Sequence, residues 1–126
     1  MPIRQFDAES FTPSKAILEI VMYVRSNGSC PAIDSIEKFE DPIRRKVLSR
    51  LVNFAMHGLN VARSQSRVVR TGMYELKHPP EIRVLWAGYG KNRIVVLSAN
   101  KKPSNTKAQT RQIDQAVTWF NQLRSE

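Results

Sequence analysis

Two apolar runs, EIRVLWA (81–87) and RIVVLSA (93–99), flank the five residues GYGKN. Both are rich in β-branched residues, and the glycines between them permit the positive φ of a tight turn. They predict a two-stranded hairpin able to bury itself, and so commit the chain to a sheet with a core. In the first run Ile82, Val84 and Trp86 alternate with Arg83, Leu85 and Ala87. Arg83 is the oddity, and the second run ends in Lys101 and Lys102. These cations either solvate the hairpin's ends or are aimed at an anion.

The remaining segments fit around that hairpin. AILEIVMYV (16–24) is a near-continuous apolar run that predicts a buried strand ended by SNGSCP. AIDSIEKFE (32–40) places Ile33 and Ile36 on one helical face. Asp41 is a good N-cap, Pro42 suits a first helical position, and Ile43, Val47, Leu48, Leu51, Val52 and Ala55 recur at helical spacing until Gly58. The two segments join tightly at Glu40–Asp41, which predicts a helical hairpin. Residues 59–72 are basic and irregular, with room for a short edge strand. GMYELKH (72–78) alternates as a strand, with Glu75 and Lys77 opposite Tyr74 and Leu76. The spacing from Thr106 to Gln109 resembles a capping box, and Ile113, Ala116, Val117, Phe120 and Leu123 form the stripe of a last helix. The expectation is one α+β domain over 16–126: an N-terminal strand, a helical hairpin, a three- to four-stranded curved antiparallel sheet and a C-terminal helix. Residues 1–15 are expected to form an irregular arm.

Charge narrows the partners. Residues 1–41 carry four Lys/Arg against seven Asp/Glu, whereas residues 42–113 carry fifteen against Glu75 and Glu81 alone. From Pro42 to Tyr74 there is no acid at all. Self-repulsion of that size favours a polyanionic partner over a merely solubilising surface. No apolar run reaches a membrane span, and the N-terminus lacks a signal-peptide core, so a cytoplasmic protein is expected. The lone Cys30 has no disulfide partner and no zinc-site neighbours. No metal or cofactor site is expected.

The order MYELK, IRVLW, NRIVVL, then a basic NKKP loop and a polar-capped helix, resembles the RelE/ParE superfamily of bacterial toxins, nearest its HigB-like and phage-derived branch. The likeness covers roughly residues 16–122 and rests on order and spacing. It implies a toxin neutralised by a neighbouring antitoxin, often of helix-turn-helix type, with helices on one sheet face and a basic concave surface on the other. RelE-like members cut mRNA on the ribosome, and ParE-like members inhibit DNA gyrase. Carried over by motif, the functional cations fall on Lys77, Arg83, Lys101 and Lys102. Ser98 stands where many relatives have His in an LHGF motif, and neither His nor Tyr follows Tyr89. The match is therefore better for phosphate binding than for acid–base catalysis.

RNA is cut without metal when its 2′-OH attacks the adjacent phosphorus and the 5′-oxygen leaves. Such a site needs cations aimed at the phosphate oxygens and groups to move two protons. The fork of Arg suits the phosphate, and a crowded Lys suits proton transfer. Arg83, Lys77 and Lys102 are the candidate catalytic residues. Lys101, Arg93, Lys107 and His78 are the candidate substrate contacts. Two readings of Arg83 stay open: it faces an anion from the exposed sheet face, or it pairs with Glu81 or Glu75. In the first, Arg83→Ala leaves the fold intact and relieves toxicity.

Overall fold

In the computed structural model, which describes residues 2–126, the chain runs through β1 (Ile3–Gln5), a 3-10 turn (Ala8–Phe11) and β2 (Glu19–Tyr23). Three helices follow: α1 (Pro31–Lys38), α2 (Asp41–His57) and α3 (Leu59–Ser64). Then come β3 (Ser66–Arg70), β4 (Met73–Leu76), β5 (Ile82–Gly88), β6 (Arg93–Lys101) and α4 (Thr106–Arg124). The α+β class and the C-terminal helix are as expected.

The sheet is larger than expected and mixed. Its order is β1-β2-β6-β5-β4-β3. The β5–β6 hairpin sits at its centre, with Ile82 opposite Lys101 and Gly88 opposite Ile94. β3–β6 form the expected four-stranded antiparallel sheet, and β2 extends it by running parallel to β6, which makes the whole sheet mixed. The parallel pair follows from the long path between them, since α1, α2, α3 and three strands supply the crossover that parallel strands require. The arm is not irregular throughout either. Ile3–Gln5 pair with Tyr23, Met22 and Val21, a three-residue strand too short to show a period.

Alternation sorts each central strand onto two faces. Ile20, Met22, Val84, Trp86, Ile94 and Val96 meet α1–α3 through Ala32, Ile36, Val47, Leu51, Phe54 and Ala62. Val21, Leu85, Ala87, Val95 and Leu97 meet Ile113, Ala116, Phe120 and Leu123 of α4. The second face, where the family likeness implied a basic concave surface, is partly roofed by α4. Tyr74 stacks on Trp86 at 4.4 Å between ring centroids, and the indole Nε1 donates to Ser66 Oγ at 2.9 Å. A buried indole N–H needs such a partner.

Helix ends follow the local chemistry. Gly58 stops α2 at φ +96°, a left-handed angle that glycine tolerates, and its N–H reaches Phe54 O at 2.8 Å. α4 is capped by Asn105 and not by Thr106: its Oδ1 accepts from Ala108 N at 2.9 Å. The basic 59–72 stretch resolves into α3 and β3, and β3 is the edge strand that its sequence allowed.

Candidate functional site

Glu75 stands on β4 opposite Leu85 of β5, so Arg83 lies diagonally across from it on the same face. Arg83 Nε donates to Glu75 Oε2 at 2.6 Å, and both side chains are buried. Arg67, opposite Glu75 on β3, brings its Nε to 3.5 Å from Oε1. Lys102 brings Nζ to 3.9 Å from Oε2, and its backbone N–H donates to Glu81 O. One buried carboxylate thus gathers three cations.

The first turn of α4 closes over this group. Arg83 Nη1 donates to the Gln109 backbone carbonyl and Nη2 to Gln109 Oε1, both at 3.0 Å. Gln109 Nε2 in turn donates to Pro103 O at 2.6 Å, which fixes the amide with its oxygen toward Arg83. The guanidinium is held on three sides, so its burial is compensated by geometry. Arg83 does not look out from an open face; of the two readings from sequence, pairing with Glu75 describes its surroundings.

Three cations against one carboxylate leave a surplus of two positive charges, and the geometry sends that surplus outward. The Arg67 side chain is 54% exposed and that of Lys102 is 30% exposed, whereas Arg83 and Glu75 are 5% and 4%. Lys101 is exposed at the end of β6, and its carbonyl accepts from Gln112 Nε2 at 3.1 Å. Lys107 is exposed on the first turn of α4. Arg67 and Lys102 thus border the Arg83–Glu75 pair directly, while Lys101 ends β6 opposite Ile82 and Lys107 opens α4. An anion arriving here meets exposed cations backed by a buried one.

Three sequence candidates lie elsewhere. Lys77 turns away after β4, and its Nζ reaches Ser64 O on the α3 side at 3.4 Å. His78 lines a groove with Arg45 and Arg50 of α2. Arg93 sits at the other end of the β5–β6 hairpin, about 20 Å along the ladder from Arg83. There it donates to Tyr89 O, lies over the Tyr89 ring and pairs with Glu19. Sequence reasoning missed Arg67 and Gln109 as members of the cluster. Arg67 was legible only once β3 was paired in register with β4, and Gln109 only once α4 was docked.

Beside the cluster, Ser98, Asn100, Arg111, Gln112 and Trp119 line a small cleft between β6 and α4. Ser98 Oγ and Gln112 Oε1 are buried there with no hydrogen-bond partner among the described residues. Cys30 is buried at the start of α1, and burial pushes its thiol above the ordinary value of 9.0. Burial and a raised thiol pKa both disfavour the reactive thiolate. Among the described residues no three His, Cys, Asp or Glu side chains gather as a metal site, and no helix is long and apolar enough to cross a membrane.

No curated protein matches the chain. Residues 34–121 match the family described as Phage derived protein Gp49-like (DUF891), from α1 through most of α4. That stretch contains Arg67, Glu75, Arg83, Lys102 and Gln109, the members of the cluster around the buried pair. The chain belongs to the Gp49-like phage-derived family, a RelE/HigB-like family of toxin–antitoxin toxins.

Proposed function

We propose that this chain is the toxin of a toxin–antitoxin pair and an endoribonuclease that cuts mRNA on the ribosome without metal. One observation carries the reading: a buried Arg83–Glu75 pair rimmed by Arg67 and Lys102, whose excess positive charge faces solvent. Lys102, Lys101 and Arg67 hold the phosphates on either side of the scissile bond. As the 2′-hydroxyl gives its proton to solvent water and its oxygen bonds to phosphorus, charge grows on the phosphate oxygens, and these cations stabilise it. The 5′-oxygen leaves with a proton from the Lys102 ammonium. Arg83 is a positioning residue, because its side chain is buried and three of its N–H groups are directed to Glu75 and Gln109. The antitoxin, of helix-turn-helix type, covers the cations with an acidic segment.

A second reading has its own observation. The hydrogen-bond and ion-pair partners of the cluster include neither His nor Tyr. A site lacking such a base suits a toxin that inhibits gyrase by binding, or a relative that only binds its antitoxin or nucleic acid. Expression of the wild type and of Lys101→Ala/Lys102→Ala, with mapping of transcript 5′ ends, separates these readings. In-frame cuts lost in the variant support the nuclease. Growth arrest with intact mRNA and broken DNA replaces it with the gyrase reading.

A further inference from the structure

Some of the cations face an acid in this fold and others do not. Arg67, Arg70, Arg83, Arg93 and Lys102 each have an acidic partner, and Arg44 pairs with Asp41. Among the described residues Arg45, Lys46 and Arg50 have none. These three line an open groove of about 830 Å³ together with Ser49, Asn53 and His78. The groove lies on the far side of the sheet from Arg83, because α2 packs against the Trp86 face.

The layout is that of an elongated anion site. Arg45, Ser49 and Asn53 follow one another at i, i+4, i+8, and Lys46 and Arg50 form the adjacent i, i+4 row. A row of two cations therefore lies beside a row of one cation and two hydrogen-bonding side chains along about 12 Å of helix. Arg50 Nη1 donates to Gln65 Oε1 at 3.3 Å, which holds its guanidinium across the groove without neutralising it. No acid lines the groove, and none occurs in sequence from Pro42 to Tyr74. Leaving three cations unpaired side by side costs repulsion that a polyanion relieves.

We infer that this groove binds the phosphate backbone of structured RNA, as a docking surface separate from the Arg83 cluster. The choice of RNA among polyanions rests on the proposed ribosomal reading, whereas the groove's demand for a string of anions does not. Phosphate contacts of this kind position a protein and carry no sequence information. The groove thus holds the chain on folded RNA while the opposite face meets the strand to be cut.

The test is fluorescence anisotropy with a labelled 20-base-pair RNA duplex carrying 2′-O-methyl groups, which bars attack by the 2′-oxygen. Wild type is compared with Arg45→Gln/Arg50→Gln across a salt series. Both residues are at the helix surface, so circular dichroism should be unchanged. Losing two phosphate contacts lowers the slope of log K against log salt by about 2. Unchanged affinity and slope overturn the inference, as does tighter binding of poly-glutamate or of a DNA duplex of the same sequence. Transcript mapping of the wild type runs alongside. Loss of duplex binding in the variant supports the groove even if the wild type cuts no mRNA, so the two failures are distinguishable.

Discussion

Arg83 Nε lies 2.6 Å from Glu75 Oε2, with each side chain about 95% enclosed, and this pair joins β4 to β5 beneath the start of α4. Removing one member leaves a buried charge with no partner. Arg83→Ala should therefore cost about 3–5 kcal/mol in urea unfolding. Replacing both, as Glu75→Leu/Arg83→Met, should recover most of that loss, because apolar side chains of similar volume need no counter-charge. A single-variant cost below about 1 kcal/mol would mean the pair is loosely held. Loss of toxicity in Arg83→Ala alone is then no proof of a phosphate contact, since the fold itself is weakened.

Lys101 and Lys102 give the cleaner functional test. Lys101 is exposed, and Lys102 approaches Glu75 at the outer limit of an ion pair. Lys101→Ala/Lys102→Ala should change stability by less than about 1 kcal/mol, as exposed or weak pairs do. If the site acts on RNA as proposed, the same variant should lose growth arrest and mRNA cutting at matched soluble expression. Full arrest at wild-type stability would remove these lysines from the mechanism.

How far the sequence carried this reading depends on sequence separation. The β5–β6 hairpin, α2 and the apolar stripe of α4 were legible because local periodicity and punctuation dictate them. β1 and the parallel β2–β6 pairing were not, since three residues carry no period and parallel pairing is set by a distant partner. Within the site, alternation put Arg83 with Leu85 and Ala87, and Glu75 was a foreseen partner. What alternation leaves open is whether that face is bare. The docking of α4 closes it, and Gln109 then completes the shell around Arg83. Lys77 and His78 were grouped with Arg83 by motif order, but the chain turns after Leu76 and carries them toward the α2–α3 side.

Asn105 should couple helix capping to the site. Its side chain caps α4 through Ala108 N, and the same first turn delivers Gln109 to Arg83. Asn105→Ala should cost about 1 kcal/mol, and Asn105→Asp should retain most of the cap. Hydrogen exchange of the α4 N-terminal amides should accelerate in the alanine variant and leave the β5–β6 amides protected. Equal loosening of both would show that α4 and the sheet open as one unit.

Cys30 should report global unfolding. It is 5% exposed, and burial is the largest cause raising its thiol above 9.0, with Asp34 and Glu37 adding in the same direction against Ile33 N–H and Arg4. The folded state thus favours the protonated thiol more than the unfolded state does. As pH rises past about 9, the unfolded chain ionises first and binds fewer protons, so stability falls with pH until the folded thiol also ionises. Below that window Cys30 contributes nothing to the pH dependence. At pH 8, iodoacetamide should label Cys30 slowly in buffer and rapidly in denaturing urea. The labelling rate should rise in Arg83→Ala in proportion to the larger unfolded population. Rapid labelling of the native wild type would show instead that the start of α1 opens locally, without the sheet.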